Sequence, residues 1–420
     1  MNTISKHGQF AKRISLSEVD SLLKSNYSNG ELETVVLIAP GWPMVLYLAE
    51  RLVRGQFNVV LLIDAAEPFP RPLGSWVTVE SVESFTSPAF AVKLRALERD
   101  DGVRWIHPIA EEAIAACRKA IPLSEKLFPN FTDRQVTLLA NKHAMADFAQ
   151  SIGLAVPLFI RIGSVWEALR AAYRLGYPVV VKGSSGRGGM QVAICSNSHE
   201  VIAGYRRLAH LDPVVQRHID GNTWSAGGFF LDGEPLRTHV YESLECLPKK
   251  IGPSTKIRHN TPRNLEKAYL ALFKALKWNG FGSTDFIRGN DGEFYFLEIN
   301  PRLWGSVTSA LAAGNRMLDP FVEILRGEVP KASLDNSDGR SSYSFPRYLR
   351  HAVLDPYSLK MLSSAFSPRT WQGIPLTYWR TNLYYFRDIA WLLIRYAGSP
   401  VWSLGKSLVA LLRRKQLPQG

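Results

Sequence analysis

Apolar residues in the first third of the chain fall into short unbroken runs separated by amphipathic stretches. Residues 34–39 (T-V-V-L-I-A) and 58–63 are two such runs. Strands buried on both faces read this way. A helical pattern over about 44–54 joins them, which predicts a βαβ unit. A helix near 87–99, a strand over 104–107 and a new helix opening at Pro108-Ile109-Ala110-Glu111-Glu112 extend it. Such sheets bind ligands beyond their strand C-termini, which singles out Gly41 and Asp64. The loop Pro40-Gly41-Trp42-Pro43 is not a G-x-G-x-x-G, so a dinucleotide site is disfavoured. Glu111 suits a helix start electrostatically and needs no further role.

From about residue 132 the pattern changes to helices alternating with shorter β runs. A helical stretch carries Asn141-Lys142-His143 and ends at Gly153. Ser164-Val165-Trp166-Glu167 is a capping box, and its helix runs to Gly176. Strand 179–182 follows, then a glycine-rich loop, then strand 191–195. Further strands are predicted over 214–219 and 224–230, the second turning at Leu231-Asp232-Gly233-Glu234. Thr261-Pro262 opens an amphipathic helix with apolar residues at 265, 268, 269, 272, 273 and 276. After Val329-Pro330 the pattern is lost, and helical apolar faces return over 383–396 and 403–414. Three regions result: an α/β domain over 1–131, a mixed α+β domain over 132–330, and a basic, aromatic-rich helical extension over 331–420.

Chemistry concentrates in a hairpin over 281–302, where two β-rich runs flank Asn290-Asp291-Gly292. A turn centred between Asp291 and Gly292, without a bulge, sets Asp285 opposite Glu298. Asn300 follows on the same face. Opposed like charges repel, whereas a hard cation such as Mg²⁺ seeks this oxygen cluster. A solvated polar face is the plainer alternative. The same alternation puts Phe294 and Phe296 on that face, which predicts that it is partly buried.

The glycine loop is the second chemical feature. Gly183-Ser184-Ser185-Gly186-Arg187-Gly188-Gly189 can close backbone N–H groups around an anion, with Lys182 and Arg187 adding positive charge. The spacing is not that of a Walker loop, and a strand follows it where a Walker loop needs a helix. A hairpin that closes over phosphates is the expectation.

Composition adjusts this picture at three points. The three cysteines, Cys117, Cys195 and Cys246, are widely spaced, so neither a disulfide framework nor a metal motif is expected, and a reducing, cytoplasmic setting fits. The N-terminus lacks the apolar core of a leader, and no run of apolar residues is long enough to span a membrane. The net charge of +13 is uneven: residues 377–420 hold seven basic residues and one acid, Asp388, a net +6. Trp, Tyr and large aliphatic faces accompany that charge. The segment therefore reads as helices lying on an anionic membrane's inner face, or as helices packed on the protein's own body or a dimer partner. No nucleic-acid module is present. Lys249, Lys250, Lys256, Arg258 and His259 cluster in one loop, as a solvated charge run or as substrate contacts.

The order of these features resembles the ATP-grasp superfamily: Lys142 before a helix, Lys182 ahead of a glycine loop, the run Q-R-H-I-D-G, then Asp285, Glu298 and Asn300 with Pro301-Arg302. The carboligases and the carbamoyl-phosphate-synthase-like ligases are its nearest part. The resemblance covers about residues 30–330, and E-I-N-P-R-L-W-G-S followed by A-L-A-A-G is its most specific stretch. It implies an ATP-grasp fold behind an N-terminal βαβ domain. It implies Lys142 and Lys182 on the phosphates of ATP, and Ser184, Ser185, Gly186, Arg187, Gly188 and Gly189 closing over them. Gln216, Arg217, His218 and Ile219 would run along adenine. Thr223 stands where relatives carry a ribose-binding Glu, which leaves Asp220 as the substitute. Asp285, Glu298 and Asn300 would hold Mg²⁺, two ions in all, with Mn²⁺ as an alternative. Arg302 and Lys182 would act on the phosphoryl group. The implied reaction joins a small-molecule carboxylate to an amine through an acylphosphate, in a chain able to form a homodimer. A phosphotransferase and a non-catalytic nucleotide-binding regulator are the alternatives.

Overall fold

The computed structural model describes residues 32–41, 44–65, 75–186, 191–246, 252–334, 339–346, 348–349 and 374–397. The helix expected over 403–414 lies outside them, as do Lys249 and Lys250.

The first sheet is parallel. Strands β1 (Thr34–Ala39), β2 (Asn58–Asp64), β3 (Thr78–Val82) and β4 (Val103–Pro108) run in the order β3-β2-β1-β4. The apolar runs of β1 and β2 are buried, as all-apolar strands between helical layers must be. Helix α1 (Val45–Arg54) fills one face, with Leu46, Tyr47, Leu48, Ala49 and Leu52 buried. The edge strand β3 reads T-V-E-S-V, too polar to be picked out as a strand.

The next region holds two antiparallel sheets. The smaller contains β5 (Phe159–Arg161), β6 (Val179–Lys182), β7 (Val192–Cys195) and β8 (Val214–Arg217), in the order β5-β8-β6-β7. Its Val179, Val181 and Val215 pack under the helices Val165–Leu175 and Ser198–Leu208. Ser164 caps the first of these helices through the Glu167 N–H. The Glu167 carboxylate accepts from Gly163 N instead of the cap's own N–H, so the expected box is only half closed.

The larger sheet contains β9 (Gly221–Leu231), β10 (Glu234–Cys246), β11 (Ser254–His259), β12 (Gly280–Gly289), β13 (Phe294–Asn300) and β14 (Ser341–Tyr343). Its order is β13-β12-β9-β10-β11-β14. One face packs on the helix Arg263–Leu276 through Leu265, Tyr269, Leu272 and Phe273, the face that its apolar spacing predicts. The other face is shared. At one end Phe229 and Phe281 join the core of the parallel-sheet domain through Phe321. The remainder faces a cavity.

The C-terminal helix, Trp379–Ala397, returns to α1. Tyr47 stacks on Tyr385 at 5.9 Å and donates to Asn382 Oδ1 at 3.1 Å. Glu50, fully buried, accepts from Thr381 N at 2.9 Å and from its hydroxyl at 2.7 Å, and also pairs with Arg54. A carboxylate of α1 therefore caps the first turn of a helix more than 300 positions away, where unsatisfied N–H groups and the helix dipole favour negative charge. Packing on the protein's own body is the arrangement of this helix's inward face. No helix among the described residues is long and apolar enough to cross a membrane.

Glu50→Ala takes the acceptor from the buried Thr381 N–H and the counter-charge from Arg54, while the Thr381 hydroxyl keeps Leu46 O. The expected loss is about 2 kcal/mol of helix docking, read as faster tryptic cleavage at Arg387. Cleavage at the wild-type rate would show that the carboxylate does not hold the helix.

Candidate active site

A cavity of about 360 Å³ lies between the two antiparallel sheets. Strand alternation sets its walls. On β6, Val180 and Lys182 face the cavity while Val179 and Val181 face the helices. On β12, Ser283, Asp285 and Ile287 face it while Phe286 enters the core. Thr223 and Ser225 of β9 complete that wall.

The hairpin reaches the expected pairing by an unexpected route. Asp285 does pair with Glu298, and Ser283 with Asn300. Nearer the turn, however, Arg288 pairs with Phe294, and Gly289 N donates to Glu293 O. The loop is thus Asn290-Asp291-Gly292, with Gly292 at φ +84°, a three-residue connection rather than a two-residue one. A bulge between the Phe286–Phe296 and Asp285–Glu298 pairs absorbs the extra residue at Leu297. It also flips the facing. Phe294, Phe296 and Ile299 lie together in the core, on the other face from Glu298 and Asn300. The expectation that the two Phe residues share the carboxylate face is therefore corrected. The burial of the site comes from the second sheet lying over it.

The bulge has a partner. Lys182 Nζ donates to the Leu297 carbonyl at 3.0 Å, crossing the cavity from the small sheet to the large one. Lys142 Nζ lies 2.5 Å from Glu298 Oε2. Lys142 is the first residue of the helix Lys142–Ser151, whose cap Asn141 accepts from His143 N and Ala144 N. Ser225 Oγ donates to Asp285 Oδ1 at 2.5 Å, and Arg302 Nη2 donates to Asn300 Oδ1 at 2.8 Å.

These contacts set unequal acidities on the two carboxyl groups. Burial, then the charge of Glu298, pushes Asp285 up to about 6. Burial also acts upward on Glu298, but the Lys142 and Lys182 ammonium groups outweigh it and hold Glu298 well below the usual carboxylate range. Burial pushes Lys182 down to about 8, with Glu298 opposing. A divalent cation would relieve the repulsion that raises Asp285. The donors are all hard oxygens, two carboxylates and an amide, which fits Mg²⁺ completed by phosphate and water.

Most residues singled out in the sequence meet here. Lys142, Lys182, Gln216, Arg217, His218, Ile219, Asp220, Asp285, Glu298, Asn300 and Arg302 all line the cavity, and so does Thr223. Ser184, Ser185 and Gly186 do not. The Ser184 hydroxyl donates to Leu211 O and its carbonyl accepts from Lys142 N, which fixes the root of the glycine loop beside the cavity. Arg187, Gly188 and Gly189 lie outside the described residues. Sequence reasoning missed Ser225, Ser283 and Tyr241. Ser225 was within reach, because it opposes Asp285 once β9 is paired with β12. Tyr241, Pro253, Ser254, Trp304, Gly305 and Ser306 also line the cavity.

The comparisons with known proteins agree with this geometry. A family model described as an ATP-grasp domain matches residues 139–306. The human mitochondrial propionyl-CoA carboxylase alpha chain is 28% identical over 151 residues, covering 33% of this chain and 21% of the human protein. The carbamoyl phosphate synthase large chain of Thermotoga petrophila is 28% identical over 180 residues, covering 40% of this chain and 16% of that one. The chain thus spans a minor part of these relatives. Among solved structures, the biotin carboxylase domain dimer of Hydrogenobacter thermophilus 2-oxoglutarate carboxylase, with MgADP and bicarbonate, matches with a TM-score of 0.58 at 17% identity, covering 74% of this chain and 73% of that one. N5-carboxyaminoimidazole synthetase from Staphylococcus aureus with ADP gives 0.59 at 15% identity, covering 72% and 81%. L-amino acid ligase from Bacillus licheniformis gives 0.56 at 18% identity, covering 71% and 75%. The resemblance read from the motif order is borne out: this chain carries an ATP-grasp domain, matched over residues 139–306.

Proposed function

We propose that the chain is an Mg²⁺- and ATP-dependent ligase that joins a carboxylate to an amine through an acylphosphate. One observation carries the reading. A single cavity between two antiparallel sheets gathers two lysines, two opposed carboxylates, an amide and an arginine around space for a triphosphate. We also keep the division into domains over 1–131, 132–330 and 331–420.

The roles follow from chemistry and position. Lys182 and Lys142 would leave their present partners, Leu297 O and Glu298, to bind phosphate oxygens. Gln216 to Ile219 line the slot for the base, with Asp220 and Thr223 at the ribose. Ser184, Ser185, Gly186, Arg187, Gly188 and Gly189 would close over the phosphates. Asp285, Glu298 and Asn300 would hold two Mg²⁺ ions, or Mn²⁺ in their place. Bound there, the cation neutralises phosphate charge. A substrate carboxylate oxygen attacks the γ-phosphorus, and the bond to ADP breaks. Arg302, tied to Asn300 and lining the cavity, would stabilise the phosphoryl group in flight. An amine nitrogen then attacks the acyl carbon, phosphate leaves, and the amine loses its proton. A homodimer fits this reading, since the Hydrogenobacter neighbour is described as a domain dimer.

Three measurements test this. With ATP and Mg²⁺, a screen of carboxylates (bicarbonate, amino acids, sugar acids) should give ADP release that rises on adding an amine, with an amide mass in the product. Release indifferent to amine would mark a phosphotransferase, and no release with any pool would mark a nucleotide-binding regulator. Asp285→Asn and Glu298→Gln should each lower that release by about 100-fold or more. Full turnover in either variant would sink the metal assignment.

The third is the pH profile at limiting Mg²⁺. Asp285 is protonated below about 6 and then offers no charge to a cation, so apparent Mg²⁺ affinity should fall as pH drops through that value. Lys182 loses its charge above about 8, so ATP affinity should fall as pH rises through it. Lys182→Arg stays charged and should move the basic limb upward. A basic limb unmoved by that substitution would assign it to another group.

A further inference from the structure

We infer that the outward face of the helix Trp379–Ala397 docks the protein on an anionic lipid surface. The inference is independent of the ligase reading.

The helix has two apolar faces. The inward one buries Thr381, Asn382, Tyr385 and Ile389, with Tyr47 and Glu50 of α1 holding Asn382, Tyr385 and Thr381. The other points away from the body. Trp379 is 58% exposed, Leu383 47%, Trp391 53% and Ile394 76%, and Leu376 just ahead of the helix is 78% exposed. Positions 379, 383 and 394 fall on one stripe at 3.6 residues per turn, while 381, 385 and 389 fall on the opposite one. The two readings of this segment thus belong to opposite faces of one helix. A single exposed Leu or Trp needs no explanation, but several on one stripe mark a binding surface.

Charge selects the occupant. Arg380 and Arg387 stand beside the apolar stripe, and the only acid of the helix, Asp388, lies on the packed side of the helical wheel. The Arg380 guanidinium lies 5.4 Å from the Trp379 ring centroid, a pairing suited to the headgroup boundary. The sequence beyond the helix, 398–420, adds Lys406, Arg413, Arg414 and Lys415 and no acid. An apolar stripe flanked by basic residues fits a surface that is apolar within and anionic at its edge. A second copy of this chain would bring another basic face, with no acid on it to pair with Arg380 and Arg387. None of the helix's residues lines the cavity, so a docked protein would keep the site open.

The test is co-sedimentation of the full-length protein with phosphatidylcholine vesicles, with and without phosphatidylglycerol. Binding should require phosphatidylglycerol and weaken with salt. The triple variant Trp379→Glu, Leu383→Glu, Ile394→Glu should bind about tenfold less or weaker still, with the wild-type melting temperature. Arg380→Gln with Arg387→Gln, which leaves the apolar stripe intact, should weaken binding by about tenfold through charge alone. Three results would overturn the inference: no binding to either vesicle, binding undiminished in both variants, or a dimer seen by light scattering that the triple variant splits.

Discussion

Two carboxylates set opposite each other across a hairpin are the constraint around which this molecule is arranged. Asp285 and Glu298 cannot both carry charge in a semi-enclosed cavity unless cations stand beside them. The fold supplies those cations from three separate places. Lys142 comes from a helix start, Lys182 from the small sheet, and Arg302 from the segment just after β13. Of these, Lys182 crosses from the small sheet to the large one. The electrostatic requirement of the carboxylates is thus also a clasp that holds the small sheet over the large one. A nucleotide and its metal would take over both sides of the clasp, satisfying lysines and carboxylates together.

The hairpin shows how a sequence argument can reach a right pairing through a wrong turn. Two errors cancelled. The loop has one residue more than the two-residue turn that Asp291-Gly292 suggests, and the bulge at Leu297 absorbs it. Bulges leave no signature in a hydrophobic pattern, because the alternation breaks at one residue and resumes. Here the trace was present but ambiguous: Phe294 and Phe296 are apolar at even positions, then Ile299 at an odd one. Reading that as a change of phase would have placed the bulge. The bulge also turns a backbone carbonyl toward Lys182, so the irregularity contributes a polar contact that regular pairing would have kept within the sheet.

Elsewhere, legibility followed the strength of local signals. The buried strands β1 and β2, the helix Arg263–Leu276 and the turn at Asp232-Gly233 were readable because burial, 3.6-residue spacing and positive φ each leave marks in a few neighbouring residues. The edge strand Thr78–Val82 was not, since an edge can be polar. Ser225 was invisible until β9 was paired with β12. The contact of Glu50 with Thr381 was equally hidden, for it joins residues whose proximity depends on the whole fold. The motif residues of the candidate site were legible for a different reason. Charged and amide side chains on strands conflict with ordinary sheet chemistry, and such conflicts collect at functional sites.

The same logic explains the tryptophan in E-I-N-P-R-L-W-G-S. Trp304 lies across β9 at Gly227, where an added Cβ would come within 2.9 Å of its ring. Glycine is therefore required for the indole to lie against β9 in the cavity lining. Behind it lies His239, hydrogen-bonded to His259, which in turn meets Ser342. Burial holds His239 well below its ordinary pKa, so it is neutral and adds no charge. The cavity lining thus sets the aromatic rings of Tyr241 and Trp304 and the hydroxyls of Ser254 and Ser306 beside its ammonium, guanidinium and carboxylate groups. Under the proposed reaction that mixture matters. An amine is a nucleophile only without its extra proton, and a region that gives an ammonium ion little solvation favours the neutral form. Setting neutral aromatic and hydroxyl groups beside the charged ones would let one cavity host an anionic transfer and a neutral attack without the two demands opposing each other.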